Sequence, residues 1–168
     1  ARKAQETGAY TSGAVVGFFS LEMSAEQLAT RILSDSAQIS SDRIRRGDIG
    51  QEAFDRIVAA SQTLSRLPLF IDDTPALSVS ALRTRARRLK RQHNLGLIVI
   101  DYLQLLSGSS NYYGSENRQG EISEISRMLK TLARELNIPI LCGSQLSRKV
   151  EERTGHRPMM SDLRESGA

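Results

Sequence analysis

Along the chain, apolar residues gather in short unbroken runs, and stretches whose apolar positions recur every three or four residues lie between them. Residues 14–19 (AVVGFF) make a run of strand length. In the SLEMSAEQ that follows, Ser24 and Gln27 have the spacing of a reciprocal capping box, so a helix is predicted from about Ser24 to Gln38. A polar patch, SSDRIRRGD, precedes a second helical pattern over 51–67, with Phe54, Ile57, Val58 and Leu64 at helical spacing, and Pro68 ends it. PLFIDD reads as a short strand closing on Asp72 and Asp73, DDTPALS as turn chemistry, and residues 78–93 as a helix. GLIVID is a strand with no polar position until its last residue. SGSSNYYGSENRQG is a loop. Ile122, Ile125, Met128, Leu129, Leu132 and Leu136 form the stripe of an amphipathic helix ending near Asn137, and IPILCGS is a fourth strand. Strands that are apolar throughout and alternate with helices predict an α/β fold, a parallel sheet with helices on both faces.

Three of these strands end on a polar residue. Glu22 follows AVVGFFSL, Asp101 closes GLIVID, and Gln145 follows ILCGS. In open parallel sheets the ligand crevice lies beyond the carboxyl ends of the strands, so two carboxylates and an amide converge on one rim. That set suits nucleotide hydrolysis. One carboxylate can hold the water ligands of Mg²⁺, another can polarise an attacking water, and a neutral amide can sense a terminal phosphate. Taken singly, each residue has a plainer reading. Asp101 can be a turn former that escapes to solvent, and Glu22 an anion favoured by a helix N-terminus.

Composition narrows the field. The 168 residues, 39% hydrophobic and 25% charged, can bury a real core as one domain. The net charge of +4 rests on 23 Lys and Arg, of which 19 are Arg, and this leans toward phosphate-bearing partners. Cys142 is the one cysteine, which rules out an internal disulfide or a thiolate cluster. No apolar run approaches the roughly 20 residues of a membrane helix, so a soluble, cytoplasmic protein without a membrane partner is expected.

FFSLEMSAEQL, PLFIDDTPALSV, ALRTRARRLK, GLIVIDYLQLL, EISEISRMLKTLARELNIPI, SQLSRKVEER and RPMMSDLRESG occur in that order. Together they resemble the C-terminal motor domain of bacterial replicative DNA helicases of the DnaB type, over nearly the whole chain. The resemblance implies a RecA-like P-loop NTPase core, a ring-shaped homo-hexamer, and ATP-driven 5′ to 3′ movement on single-stranded DNA. ATP and Mg²⁺ are the implied cofactors, and a helicase loader and primase the implied partners. By motif, Glu22 matches the glutamate that activates the attacking water. Asp101 matches the Walker B aspartate that holds Mg²⁺ through water, and Gln145 the glutamine that relays the γ-phosphate state. Arg164, Glu165 and Gly167 match positions that touch the DNA backbone; a bland turn is the alternative there.

The chain departs from the family's pattern at one point. None of Lys3, Lys90, Lys130 and Lys149 fits the frame G-x-x-x-x-G-K-[ST], so the Walker A loop is missing from residues 1–168. With no initiator Met and no closing element, the chain is read as a partial RecA-like domain lacking the Walker A strand and the C-terminal strands. The resemblance also orders the sheet as 68–72, 14–19, 97–101, 138–143, which leaves IPILCG as a bare apolar edge. The helix bearing Arg83, Arg85, Arg87, Arg88, Lys90 and Arg91 is read first as a solvated face over a buried Leu82, Ala86 and Leu89 stripe, with a subunit interface or nucleic-acid contact as alternatives. Arg148, Lys149 and Arg153 are candidates for DNA proximity; Tyr112 and Tyr113 are read first as exposed loop tyrosines, with base stacking as the alternative. His93 is read as a helix C-terminal cation and His156 as a loop residue. A recombinase or clock-type ATPase, or a non-catalytic RecA-like remnant kept for docking, are the rival functions.

Overall fold

A computed structural model describes residues 13–108, 118–146, 149–152, 155, 157–159 and 162. Arg164, Glu165 and Gly167, with Tyr112, Tyr113, Arg148, Arg153 and His156, lie outside the described residues. The elements run β1 (Val15–Ser20), α1 (Ala25–Ala37), α2 (Ser41–Arg46), α3 (Gln51–Leu64), β2 (Leu69–Asp72), α4 (Val79–His93), β3 (Leu95–Asp101), a 3₁₀ turn (Leu103–Leu105), α5 (Arg118–Leu136), β4 (Ile140–Cys142) and α6 (Lys149–Glu152).

The four strands form one parallel sheet in the order β2-β1-β3-β4, the order that the family resemblance implies. Parallel neighbours need crossovers, and here helices supply them. The row Gly17, Phe70, Ile98 and Ile140 and the row Phe19, Asp72, Ile100 and Cys142 run across the sheet in register. Phe19, Ile98 and Ile100 are sealed beneath α4 and α5, with Leu82 and Ala86 from α4 and Ile125, Leu129, Leu132 and Leu136 from α5 completing the main core. Each such Leu or Ile contributes about 1.5–3 kcal/mol by leaving water. Gly17 lets α4 close down, because a Cβ there would meet Leu95 Cδ1 at 3.2 Å and Leu89 Cδ1 at 3.4 Å. Along β1 and β3 the alternate residues Val16, Phe18, Leu97 and Val99 are half-buried, and on β4 Leu141 is 64% exposed, so the IPILCG edge is bare among the described residues.

A smaller cluster, Ala37, Ile39 and Ala53 with Ile44, Ile49, Ile57 and Ala60 against it, joins α1 to α3. The predicted capping box is present: Ser24 Oγ accepts from the Gln27 N–H and Gln27 Oε1 from the Ser24 N–H. Three local expectations change, the first being that α5 begins at Arg118, inside the segment read as a loop. Part of the SSDRIRRGD patch is helical, closed by Gly47 in the left-handed region at φ 70°. The stripe of α3 divides, with Ala53 inward and Phe54 and Val58 largely exposed.

Candidate functional site

The site is built from what leaves the carboxyl rim. In the ladder Ser20 pairs with Asp101 and Ile100 with Cys142, so β1, β3 and β4 end level with one another on adjacent positions in the sheet. Glu22, Asp101 and Gln145 therefore depart from the same rim, two, zero and three residues beyond their strands. Glu22 and Gln145 are exposed and Asp101 is partly so.

Hydrogen bonds past the strands hold these exits together. The Leu21 N–H donates to the Asp101 carbonyl at 2.9 Å, which ties the residue before Glu22 to the Asp101 main chain. Buried Ser20 donates its hydroxyl to the Met23 carbonyl at 2.7 Å and closes the turn that carries Glu22. On the other side, the Gly143 N–H donates to the Ile100 carbonyl and the Leu103 N–H to the Gly143 carbonyl, both at 2.9 Å. A Cβ on residue 143 would lie 3.6 Å from Asp101 Oδ1, so the carboxylate sits beside the β4 exit. Its charge registers there. Burial first, and then the Asp101 carboxylate, push the Cys142 thiol up to about 11.

The end of β2 supports this rim through two acidic residues that the sequence marks as a strand end and the start of a turn. The Arg85 guanidinium meets Asp72 at 2.6 Å (Oδ1) and 2.5 Å (Oδ2) and donates to Thr74 Oγ1 at 2.6 Å. Burial works to raise the Asp72 carboxyl, but hydrogen bonds from Arg85 and Thr74 outweigh it and hold the group below its ordinary 3.8. Next to it, Asp73 Oδ2 accepts from the Ala25 N–H at 2.8 Å, capping α1 three residues after Glu22. A partner 48 positions away leaves no local mark in a sequence.

The arginine helix is engaged within the chain to a large extent. Arg83 reaches Glu135 of α5 at 2.7 Å, Arg87 bonds the same carboxylate, Arg85 holds Asp72, and Lys90 donates to the Leu95 carbonyl at 3.0 Å. Leu82 and Ala86 are fully buried beneath them, as the stripe predicts. His93 sits in the last turn of α4 with its ring 4.5 Å from that of Phe70. Among the described residues, no group of three or more His, Cys, Asp or Glu could hold a metal by itself, and no helix is long and apolar enough to cross a membrane. Mg²⁺ does not require such a cage. It keeps most of its water and leans on one or two carboxylates and its phosphates, a demand that Asp101 at an open rim fits.

Comparison with known proteins finds similar chains and structures. The chain is 61% identical over 152 residues to the replicative DNA helicase DnaB of Rickettsia felis, an alignment covering 90% of this chain and 30% of that protein. It thus spans about 30% of the length of such a relative. Among solved structures, a DnaB-like replicative helicase described with its interactions with primase superposes with a TM-score of 0.84 at 37% identity, covering 92% of this chain and 37% of that one. A second solved structure, described as an ATPase domain, superposes with a TM-score of 0.86 at 34% identity, over 99% of this chain and 57% of that one. The sheet with its helices is therefore RecA-like. The model of the DnaB-like helicase C-terminal domain matches residues 1–168, and the chain belongs to that family.

Proposed function

We propose that this chain is the core of an ATP-driven motor which, in the whole protein, works as a cytoplasmic homo-hexamer that moves 5′ to 3′ on single-stranded DNA and unwinds the duplex ahead. The observation that carries the reading is the shared rim, with positions 22, 101 and 145 leaving three neighbouring strands side by side. At that rim Glu22 is the general base. Its exposed carboxylate accepts the proton of a water aligned for attack. Asp101 orients the water ligands of a Mg²⁺, and the Gln145 amide hydrogen-bonds where a terminal phosphate would lie, so that its loss is felt by the chain that follows. A Mg²⁺-bound ATP, when bound, supplies the phosphoryl group to be transferred and the neutralisation of its charge. Arg164, Glu165 and Gly167 are assigned to the DNA backbone, where an Arg gives charge and a Gly lets a phosphate approach the main chain. A relative described with primase supports primase as a partner, and a loader is proposed on the family likeness.

The test uses the full-length protein. Glu22→Gln should cut ATP turnover by about 10²–10⁴-fold, the usual worth of a general base, while nucleotide binding persists. Asp101→Asn should raise the Mg²⁺ concentration needed for turnover. Full activity in Glu22→Gln would refute the assignment, and a full-length protein without any turnover would return the non-catalytic reading.

A further inference from the structure

The β3–β4 ladder ends at Ile100 and Cys142, yet pairing between the two exits continues. After the two backbone bonds through Gly143, a side chain takes over. Gln104, in the 3₁₀ turn three residues after Asp101, is buried at 8% exposure. Its Oε1 accepts from the Gln145 N–H at 3.2 Å, and its Nε2 donates to the Gln145 carbonyl at 3.1 Å and to Ser144 Oγ at 3.0 Å. One amide thus holds both main-chain polar groups of Gln145, while the Gln145 residue itself remains exposed. Only Asn and Gln end in a carboxamide, whose neutral donor and acceptor stand side by side as in a peptide, and Asn is one methylene shorter. The partners also fix which end of the amide is oxygen, since the N–H of residue 145 needs an acceptor and its carbonyl a donor.

We propose that Gln104 is a positioning residue for Gln145, locking the main chain of the phosphate-sensing residue to the turn that carries Asp101. This rests on the reading of Gln145 given above. Through the clamp, a shift of the Asp101 turn becomes a shift of residue 145, and the sensor reports on the same phosphate group that Asp101 serves. Without it, Gln145 keeps its chemistry but loses its fixed origin. The stimulation of ATP turnover by DNA, which depends on coupling, should then suffer more than turnover itself.

The experiment measures ATP turnover of the full-length hexamer with and without single-stranded oligo-dT, alongside a thermal melt, for Gln104→Met, Gln104→Glu, Gln145→Ala and the Gln104→Met, Gln145→Ala double variant. Gln104→Met keeps the size and removes the three bonds to residues 144 and 145, and the ratio of stimulated to basal turnover should fall about five- to tenfold. Gln104→Glu keeps the acceptor for the Gln145 N–H and loses the donor, so its ratio should lie between. In the double variant the ratio should be no lower than in Gln145→Ala, because Gln104 acts through that residue. A wild-type ratio in Gln104→Met overturns the proposal, as does a parallel fall of both rates with melting temperature, or losses that add in full. Should Gln104→Met fail to assemble, Gln104→Glu decides by the same criterion. A wild-type ratio in Gln145→Ala instead defeats the sensor assignment, and the proposal falls with it.

Discussion

Arg85 offers the sharpest check on the reading of the arginine helix, since a solvated or DNA-facing arginine and one bound to Asp72 respond differently to removal. The pair is about two-thirds withdrawn from water, with side-chain exposures of 33% for Arg85 and 26% for Asp72. Charge-assisted hydrogen bonds contribute roughly 1.5–3 kcal/mol each when buried, and fully exposed pairs roughly 0.2–1. At this intermediate exposure we expect Arg85→Met, which keeps the apolar stem, to cost about 1–2 kcal/mol. For a domain of this size that lowers the melting midpoint by about 3–6 °C. A double-mutant cycle with Asp72→Asn should return a coupling of about 1 kcal/mol. The sign with pH is fixed. The folded Asp72 carboxyl lies below its ordinary 3.8, so its contribution is complete above that value and is lost as pH falls through the lower folded one. Urea denaturation followed by circular dichroism at pH 7 and near pH 3 should therefore show the gap between wild type and Arg85→Met closing in acid. Additive variants, or a gap unchanged at low pH, would mean that Arg85 acts by packing or at an outside surface.

Other parts of the structure make further commitments. Leu132→Ala, at 1% exposure on the buried side of α5, should lose about 2–5 kcal/mol by denaturant titration, and a loss under about 1 would deny that this face of the sheet is the main core. Cys142, its thiol raised to about 11, should alkylate slowly at pH 8 and faster only above about pH 10; Asp101→Asn should bring that rise to lower pH, and a rate already maximal at pH 8 would contradict the burial. Because no lysine of residues 1–168 follows the phosphate-loop frame, the 168-residue chain alone should show no ATP turnover. Turnover that disappears with Glu22→Gln would overturn that.

What could be read in advance divides along a physical line. The strands, the order of the helices and the Ser24–Gln27 capping box depend on neighbours within four residues, and each is found where the pattern places it. The sheet order came from likeness to a family, since apolar runs alone do not say which strands adjoin. Helix α3 exposes the limit of periodicity: positions 53, 57 and 60 and positions 54 and 58 are both helical stripes, and the larger apolar pair is the exposed one. The short helix Ser41–Arg46 has Ile44 as its single apolar residue and so offers no stripe at all.

The rim follows the same division. Glu22, Asp101 and Gln145 could be singled out because a polar residue ending an apolar strand is a local contradiction, visible in a few letters. The residues that fix them are not contradictions. Ser20 reads as a strand end, Asp73 as a turn, and Gln104 as a polar letter in DYLQLL. Their partners lie at residues 23, 25 and 145, and only the first of these is close in sequence. A group that reacts must be exposed and out of character with its strand, whereas a group that positions needs only a partner and can resemble any turn residue. Substitutions at the second kind should therefore alter how turnover responds to DNA or Mg²⁺ before they abolish turnover, and this ordering sets Gln104 apart from Glu22 on the same rim.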